Sequence, residues 1–140
     1  MQSFTQYTPT EIVFGRGVQK EAGKLAKKWG GSRVLLVYGG GSAVRSGLLQ
    51  EIKEELDREG IACEELGGVQ PNPRLALARE GVEKAIAFQA DLILAVGGGS
   101  VIDTAKAVAI MATNDGDWWD YIHGGTGGGK RMAKAGLPIV

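Results

Sequence analysis

Two stretches of this chain end an apolar run in Gly-Gly-Gly-Ser and then turn amphipathic. The first reads Val34-Leu35-Leu36-Val37-Tyr38-Gly39-Gly40-Gly41-Ser42, and the second Leu92-Ile93-Leu94-Ala95-Val96-Gly97-Gly98-Gly99-Ser100. A buried strand that closes in glycines and opens a helix presents bare backbone N–H groups at a positive helix end. That arrangement suits an anion, most often a phosphate. Two such turns in one chain point to a ligand with spread-out phosphates or polar groups, such as a dinucleotide. The matched strand–turn–helix context carries this reading more than the glycines do.

Glycine is 23 of 140 residues, well above the usual share of about 7%. Eleven of the 23 fall in three clusters, at 39–41, at 97–99 and within 124–129. The glycine is therefore local punctuation and not low complexity.

Arg33–Tyr38 and Leu92–Val96 are apolar without alternation, which predicts buried central strands. Ile61–Val69 predicts a third strand, interrupted by Gly67-Gly68. Glu11–Gly15 reads as a short strand closed by glycine. Between them, helical periods place Val18, Ala22, Leu25, Ala26 and Trp29 on one face, with Gly30-Gly31 as the stop. A second helix opens at Ser42 with Val44, Leu48, Leu49, Ile52 and Leu56 inward, and ends at Gly60. A third follows Pro71-Asn72-Pro73, with Leu75, Ala78, Val82, Ala85, Ile86 and Gln89 along one side. A fourth spans Ser100–Ala112, with Ile102, Ala105, Ala109 and Ala112 inward. Residues 114–121 fit one helical turn. Strands alternating with helices predict an α/β fold: a Rossmann-like parallel sheet with helices on both faces.

Residues 1–140 fit one nucleotide-binding α/β domain. Leu137-Pro138-Ile139-Val140 looks like the start of a strand. Four apolar residues at that point suggest a piece of something longer, truncated at its C-terminal end. With 16 basic and 16 acidic residues, bulk charge does not favour nucleic acid or an anionic membrane. No apolar run approaches the roughly 20 residues that span a bilayer. The N-terminus lacks the basic and apolar segments of a secretory signal. The one cysteine, Cys63, reads as a small buried or half-buried thiol. A cytoplasmic setting follows from these features.

Gly97-Gly98-Gly99-Ser100-Val101-Ile102-Asp103-Thr104-Ala105-Lys106, preceded by Pro71-Asn72-Pro73 and a helix, resembles the iron-containing (group III) alcohol dehydrogenases. Thr8-Pro9-Thr10-Glu11-Ile12-Val13-Phe14-Gly15-Arg16-Gly17 resembles the same family. Val37–Ser42 is similar to its NADPH-preferring butanol dehydrogenase and aldehyde reductase branch. The resemblance implies an N-terminal nucleotide-binding domain followed by a helical C-terminal domain. It also implies a divalent metal, iron or zinc, held by one Asp and three His of that second domain. This sequence has one histidine, His123, so no metal ligand and no catalytic group is assigned within it. By the resemblance the chain is the N-terminal portion of such an enzyme and inactive alone. The full-length protein would then interconvert primary alcohols and aldehydes, and the resemblance allows it to be a homodimer. A glycerol dehydrogenase or dehydroquinate synthase-like enzyme, or a non-catalytic nucleotide-binding module, remain the alternatives.

The resemblance implies cofactor contacts at Gly97, Gly98, Gly99 and Ser100, where backbone approaches a pyrophosphate without a Cβ in the way. A tight strand–helix turn with Ser100 as N-cap explains the same residues. Asp103 completes a Ser-x-x-Asp capping box, and the family places this acid near the nicotinamide. Lys106 stands at i,i+3 from it. Asn72 reads either as the N-cap before Pro73 or as a cofactor contact. Gly39, Gly40, Gly41 and Ser42 bear on cofactor choice. NAD-preferring relatives carry an Asp where Gly39 stands, and an acid there repels a 2′-phosphate. With that position bare and Arg45 one turn on, the expectation is NADP(H) over NAD(H). Arg45 also reads as a plain surface arginine. Gly124–Lys130 misses a phosphate-binding loop, because Arg131 replaces the required Ser or Thr; a surface loop is the better reading. Trp118 and Trp119 read as packing residues.

Overall fold

The computed structural model describes residues 9–121 and 133–140. Three parallel strands, β1 (Arg33–Gly39), β2 (Ala62–Val69) and β3 (Leu92–Val96), form a sheet in the order β2-β1-β3. Among the described residues five α-helices accompany them: α1 (Ala22–Lys28), α2 (Ser42–Arg45), α3 (Leu48–Arg58), α4 (Leu75–Phe88) and α5 (Gly99–Met111). The end of the chain continues the sheet. Ile93 N–H donates to Pro138 O at 2.9 Å, and Val140 N–H to Ile93 O at 3.0 Å. The strand start expected at Leu137–Val140 is therefore present as a parallel bridge.

The strands lack alternation because both faces are covered. Val34, Leu36, Leu92, Leu94 and Val96 pack with Ala22, Ala26, Ala43, Leu49, Ile52 and Leu56 on the α1–α3 face. Leu35, Val37, Leu66 and Ile93 pack with Ala85, Val101, Ala105, Val108 and Ala109 on the α4–α5 face. Small residues set the close approaches. A Cβ on Gly81 of α4 would stand 2.7 Å from both Leu66 Cδ2 and Val108 Cγ2. One on Gly23 of α1 would stand 2.2 Å from the Glu55 carbonyl oxygen of α3.

Helix ends follow the glycine logic. After α1, Gly31 N–H bonds Ala26 O at 2.8 Å and Gly30 N–H bonds Lys27 O at 3.0 Å, with Gly30 left-handed. This is a Schellman motif, repeated at Gly60-Ile61 after α3. At α4 the left-handed position is Gln89, at φ 54°. At the N-terminal end of the sheet, Asp91 ties β3 to β1. Its carboxylate accepts from the N–H groups of Ser32 and Arg33, each from 2.9 Å, and from the Ser32 hydroxyl. Burial pushes this carboxyl up, but the hydroxyl and the two N–H groups outweigh that and hold it below its usual range.

Several expectations need correction. Residues 11–15 form no strand: no partner strand among the described residues meets them, and Ile12 and Phe14 are 81% and 98% exposed. The first helix begins as a separate 3-10 turn, Val18–Glu21. The helix expected from Ser42 breaks after one turn, because Gly47 is left-handed at φ 77°. Val44 consequently lies on the exposed side. Leu75 and Ile86 of α4 and Ile102 of α5 are exposed, since α4 sinks its narrow Ala78-Gly81-Ala85 edge and α5 its Val101, Thr104, Ala105 and Val108 side. The helical turn in 114–121 is a 3-10 turn, Trp118–Asp120, and Trp119 is about half exposed and not core. The glycine-rich 124–129 loop and His123 lie outside the described residues.

Candidate functional site: two glycine turns at the sheet's C-terminal edge

Tyr38 of β1 pairs with Val96 of β3, so the two glycine triplets leave neighbouring strands side by side. Parallel neighbours lie about 4.8 Å apart. The order β2-β1-β3 makes this the place where the chain's winding reverses. In open α/β sheets the crevice for ligands lies there, outside the carboxyl ends of the strands.

The six glycines are not equivalent. A Cβ on Gly97 would stand 2.5 Å from Val101 Cγ2, and one on Gly39 would stand 3.7 Å from the same methyl. Val101, buried in the first turn of α5, is the floor beneath both strand ends. Gly97 is thus required by the fold itself. Gly40, Gly98 and Gly99 have nothing within 4 Å of an added Cβ. Gly98 has an ordinary extended backbone, φ −90° and ψ −167°, and Gly99 is helical. Packing and backbone conformation leave those positions open to other residues.

The N-terminus of α5 is bare. Its N-cap is Gly98, with no side-chain cap. The N–H groups of Gly98, Gly99 and Ser100 have no hydrogen-bond partner among the described residues. Ser100 is therefore not the N-cap, and the Ser100–Asp103 capping box does not form. The hydroxyl of Ser100 instead accepts from the Asn72 N–H at 3.3 Å. Thr104, buried one turn on, donates to the Ser100 carbonyl at 2.8 Å. Asp103 is exposed and pairs with Lys106 at 3.4 Å, the i,i+3 pair expected.

Asn72 is not a helix cap either, since α4 starts at Leu75 with Arg74 as N-cap. Asn72 is left-handed, φ 61°, a conformation that Asn tolerates better than most residues. Through its bond to Ser100, the Pro71-Asn72-Pro73 loop joins the second glycine turn. At the first turn, Arg45 folds back over Gly41. Its Nη1 lies 3.1 Å from where a Cβ on Gly41 would be. Ser42 is the first residue of α2, which has only four residues, so this turn has little helix dipole behind it.

The structure brings Gly39–Ser42, Arg45, Asn72 and Gly97–Ser100 to one edge, with Asp103 a turn down α5. Two supporting residues escaped the sequence reading. Val101 was detectable as a bulky residue four after Gly97. Tyr38 was not, because its partners come from β2 and α3. A separate open groove of about 590 Å³ lies away from these turns, lined by Leu25, Trp29, Pro138 and Ile139 among others. It is mainly apolar. Cys63 is half-buried, and burial first, then the Glu65 carboxylate, push its thiol up to about 11, which leaves it unreactive. Among the described residues no three His, Cys, Asp or Glu side chains cluster to hold a metal, and no helix is long and apolar enough to cross a membrane.

Comparison with known proteins agrees with the geometry. The chain is 48% identical over 139 residues to a probable NADH-dependent butanol dehydrogenase of Bacillus subtilis, covering 99% of the chain and 34% of that protein. It is 36% identical to an NADPH-dependent aldehyde reductase of Escherichia coli, covering 99% and 34%. The crystal structure of NADH-dependent butanol dehydrogenase A from Thermotoga maritima superposes with a TM-score of 0.90 at 42% identity, covering 99% of this chain and 34% of that one. The chain thus spans about a third of the length of these relatives. The family model described as iron-containing alcohol dehydrogenase matches residues 9–140, and the chain belongs to that family.

Proposed function

We propose that this chain is the cofactor-binding part of an oxidoreductase that interconverts primary alcohols and aldehydes with NADP(H). The observation that carries the reading is the bare N-terminus of α5. Three consecutive N–H groups stand unpartnered beside Gly98 and Gly99, whose lack of a side chain the fold does not need. A pyrophosphate supplies both the partner and the need. Ser100 and Asn72 flank it, and Asp103 is left for the nicotinamide side. The cofactor, when bound, carries the hydride between alcohol carbon and aldehyde carbon. The chain's residues bind and orient it. The metal that the family's name implies finds no donor set among the described residues.

Relatives 40–48% identical are named NADH-dependent, and those named NADPH- or NADP-dependent are 36% and 31% identical. What supports NADP(H) here is local: a turn of bare glycines at 39–41 with the Arg45 guanidinium against it. A fixed positive charge and no carboxylate favour a 2′-phosphate. The test is titration of the whole protein, as its source makes it, with NADPH and NADH. Arg45→Gln should weaken NADPH about tenfold and leave NADH within about twofold, the size of one charge-assisted contact. A wild-type protein that binds NADH as tightly as NADPH defeats the preference. One that binds neither defeats the cofactor site. The same reading places the protein in the cytoplasm, with a small alcohol or aldehyde as partner.

A further inference from the structure

The register between β1 and β2 slips just before the first glycine turn. Val37 pairs with Leu66, but Gly39 pairs with Val69. β2 therefore has one more residue than β1 at this point, taken up at Gly67-Gly68 with Gly68 left-handed at φ 84°. A bulge of this kind sharpens the local twist and re-aims the strand beside it. Tyr38 lies opposite the bulge. Its ring lies against Gly67: a Cβ there would stand 2.7 Å from Tyr38 Cζ and 2.8 Å from Tyr38 Oη.

The hydroxyl end is held as well. Tyr38 Oη donates to Glu65 Oε2 at 3.0 Å. The other oxygen of that carboxylate accepts from Lys53 Nζ of α3 at 2.5 Å. Lys84 of α4 donates to the Glu65 backbone carbonyl at 2.9 Å. The Lys53 contact is the main reason that the Glu65 carboxyl stays below its usual range. The acceptor for Tyr38 is therefore a fixed, ionised group.

We propose that Tyr38 is a positioning residue for the first glycine turn: clamped between the β2 bulge and Glu65, its ring sets the direction in which Gly39–Gly41 leaves the sheet. The inference rests on the reading that this turn and Arg45 receive the 2′-phosphate of NADP(H). Tyr38 itself touches no ligand in it. Its effect falls on the 2′-phosphate end and spares the pyrophosphate at α5.

The test compares Tyr38→Phe, Glu65→Gln and Glu65→Ala with wild type in the whole protein, by NADPH and NADH titration and by thermal melting. Tyr38→Phe removes one oxygen and keeps the ring. It should weaken NADPH about fivefold and change NADH less than about twofold, the scale of one lost hydrogen bond. Glu65→Ala should do the same, while Glu65→Gln, whose amide oxygen still accepts, should keep the wild-type NADPH:NADH ratio. A role confined to stability lowers the melting temperature without moving that ratio, and that result overturns the proposal. A ratio equally disturbed in Glu65→Gln and Glu65→Ala also overturns it. If wild type prefers NADPH and Tyr38→Phe keeps that preference, this inference alone fails. If wild type shows no preference for NADPH, the reading of the turn fails first and takes this inference with it.

Discussion

Gly99→Ala separates what the fold needs from what a ligand needs. Gly99 is the first residue of α5, and an added Cβ has nothing within 4 Å. Alanine there is free of strain. It also restricts the unfolded chain and favours the helix, which together should stabilise the protein by about 0.5 kcal/mol. A helical Cβ tilts toward the helix N-terminus, so the same methyl points to the side on which the free N–H groups of Gly98, Gly99 and Ser100 stand. Losing one hydrogen bond to a charged phosphate costs about 1.5–3 kcal/mol, a roughly 10- to 150-fold rise in the NADPH dissociation constant. Gly97→Ala is the contrast. Its Cβ would fall 2.5 Å from Val101 Cγ2, and overpacking of this kind costs about 1–3 kcal/mol. Fluorescence titration with NADPH and thermal melting on both variants read the two effects apart. The expected pattern is weak binding with undiminished stability for Gly99→Ala, and lowered stability for Gly97→Ala. A Gly99→Ala protein that binds NADPH within twofold of wild type refutes the reasoning, because the free N–H groups would then not hold the phosphates.

Three further outcomes follow from the scaffold. Gln89→Gly places glycine at the left-handed end of α4 (φ 54°) and should raise stability by about 0.5–1 kcal/mol in chemical denaturation; no gain would mean that Gln89 is unstrained there. Gly23→Ala drives a Cβ to 2.2 Å from the Glu55 carbonyl and should cost about 3 kcal/mol or fail to fold; a wild-type melting temperature would show that α1 and α3 can separate freely. Asp91 has a folded-state pKa held below its ordinary value near 4. Its contribution is therefore full above that ordinary value and is lost as pH falls through the lower folded one. Asp91→Asn should lower stability at pH 7 by about 1–2 kcal/mol, the contact being partly exposed, and should flatten the decline below pH 4; an unchanged acid limb would assign that decline to other carboxylates.

The sheet was legible because its strands obey a rule that needs no partner information. Val34–Val37 and Leu92–Val96 are apolar on both faces, and only a strand covered on both sides tolerates that. The stops at Gly30 and Gly60 were legible for a similar reason, since a left-handed residue after a helix selects glycine. Failures came where a neighbour decides. Residues 11–15 have a strand-like pattern, but a strand exists only with a partner to bond. Ile86 and Ile102 fit an apolar period, yet the helices turned their small residues to the sheet, because Gly81 lets α4 approach Leu66 and Val108 to a distance that no larger side chain permits.

The capping alternative for the site residues fails in an informative direction. Serine before a helix normally satisfies a stray N–H, and on that logic Ser100 and Asn72 look like caps, while Ser42 opens the second helix. In the structure none of them caps: the caps are Gly41, Gly98 and Arg74, with no side-chain bond at any of the three. A helix end left without its own cap is under-satisfied unless something else arrives. The two Gly-Gly-Gly-Ser turns, identical as strings, also differ once folded. The second opens a helix of 13 residues, with a dipole strong enough to favour an anion by itself. The first opens one of four, too short for that, and the positive charge there comes from Arg45. The string encodes the shape of each turn. The source of its charge lies downstream, in where Gly47 breaks the helix and which side chain folds back over Gly41.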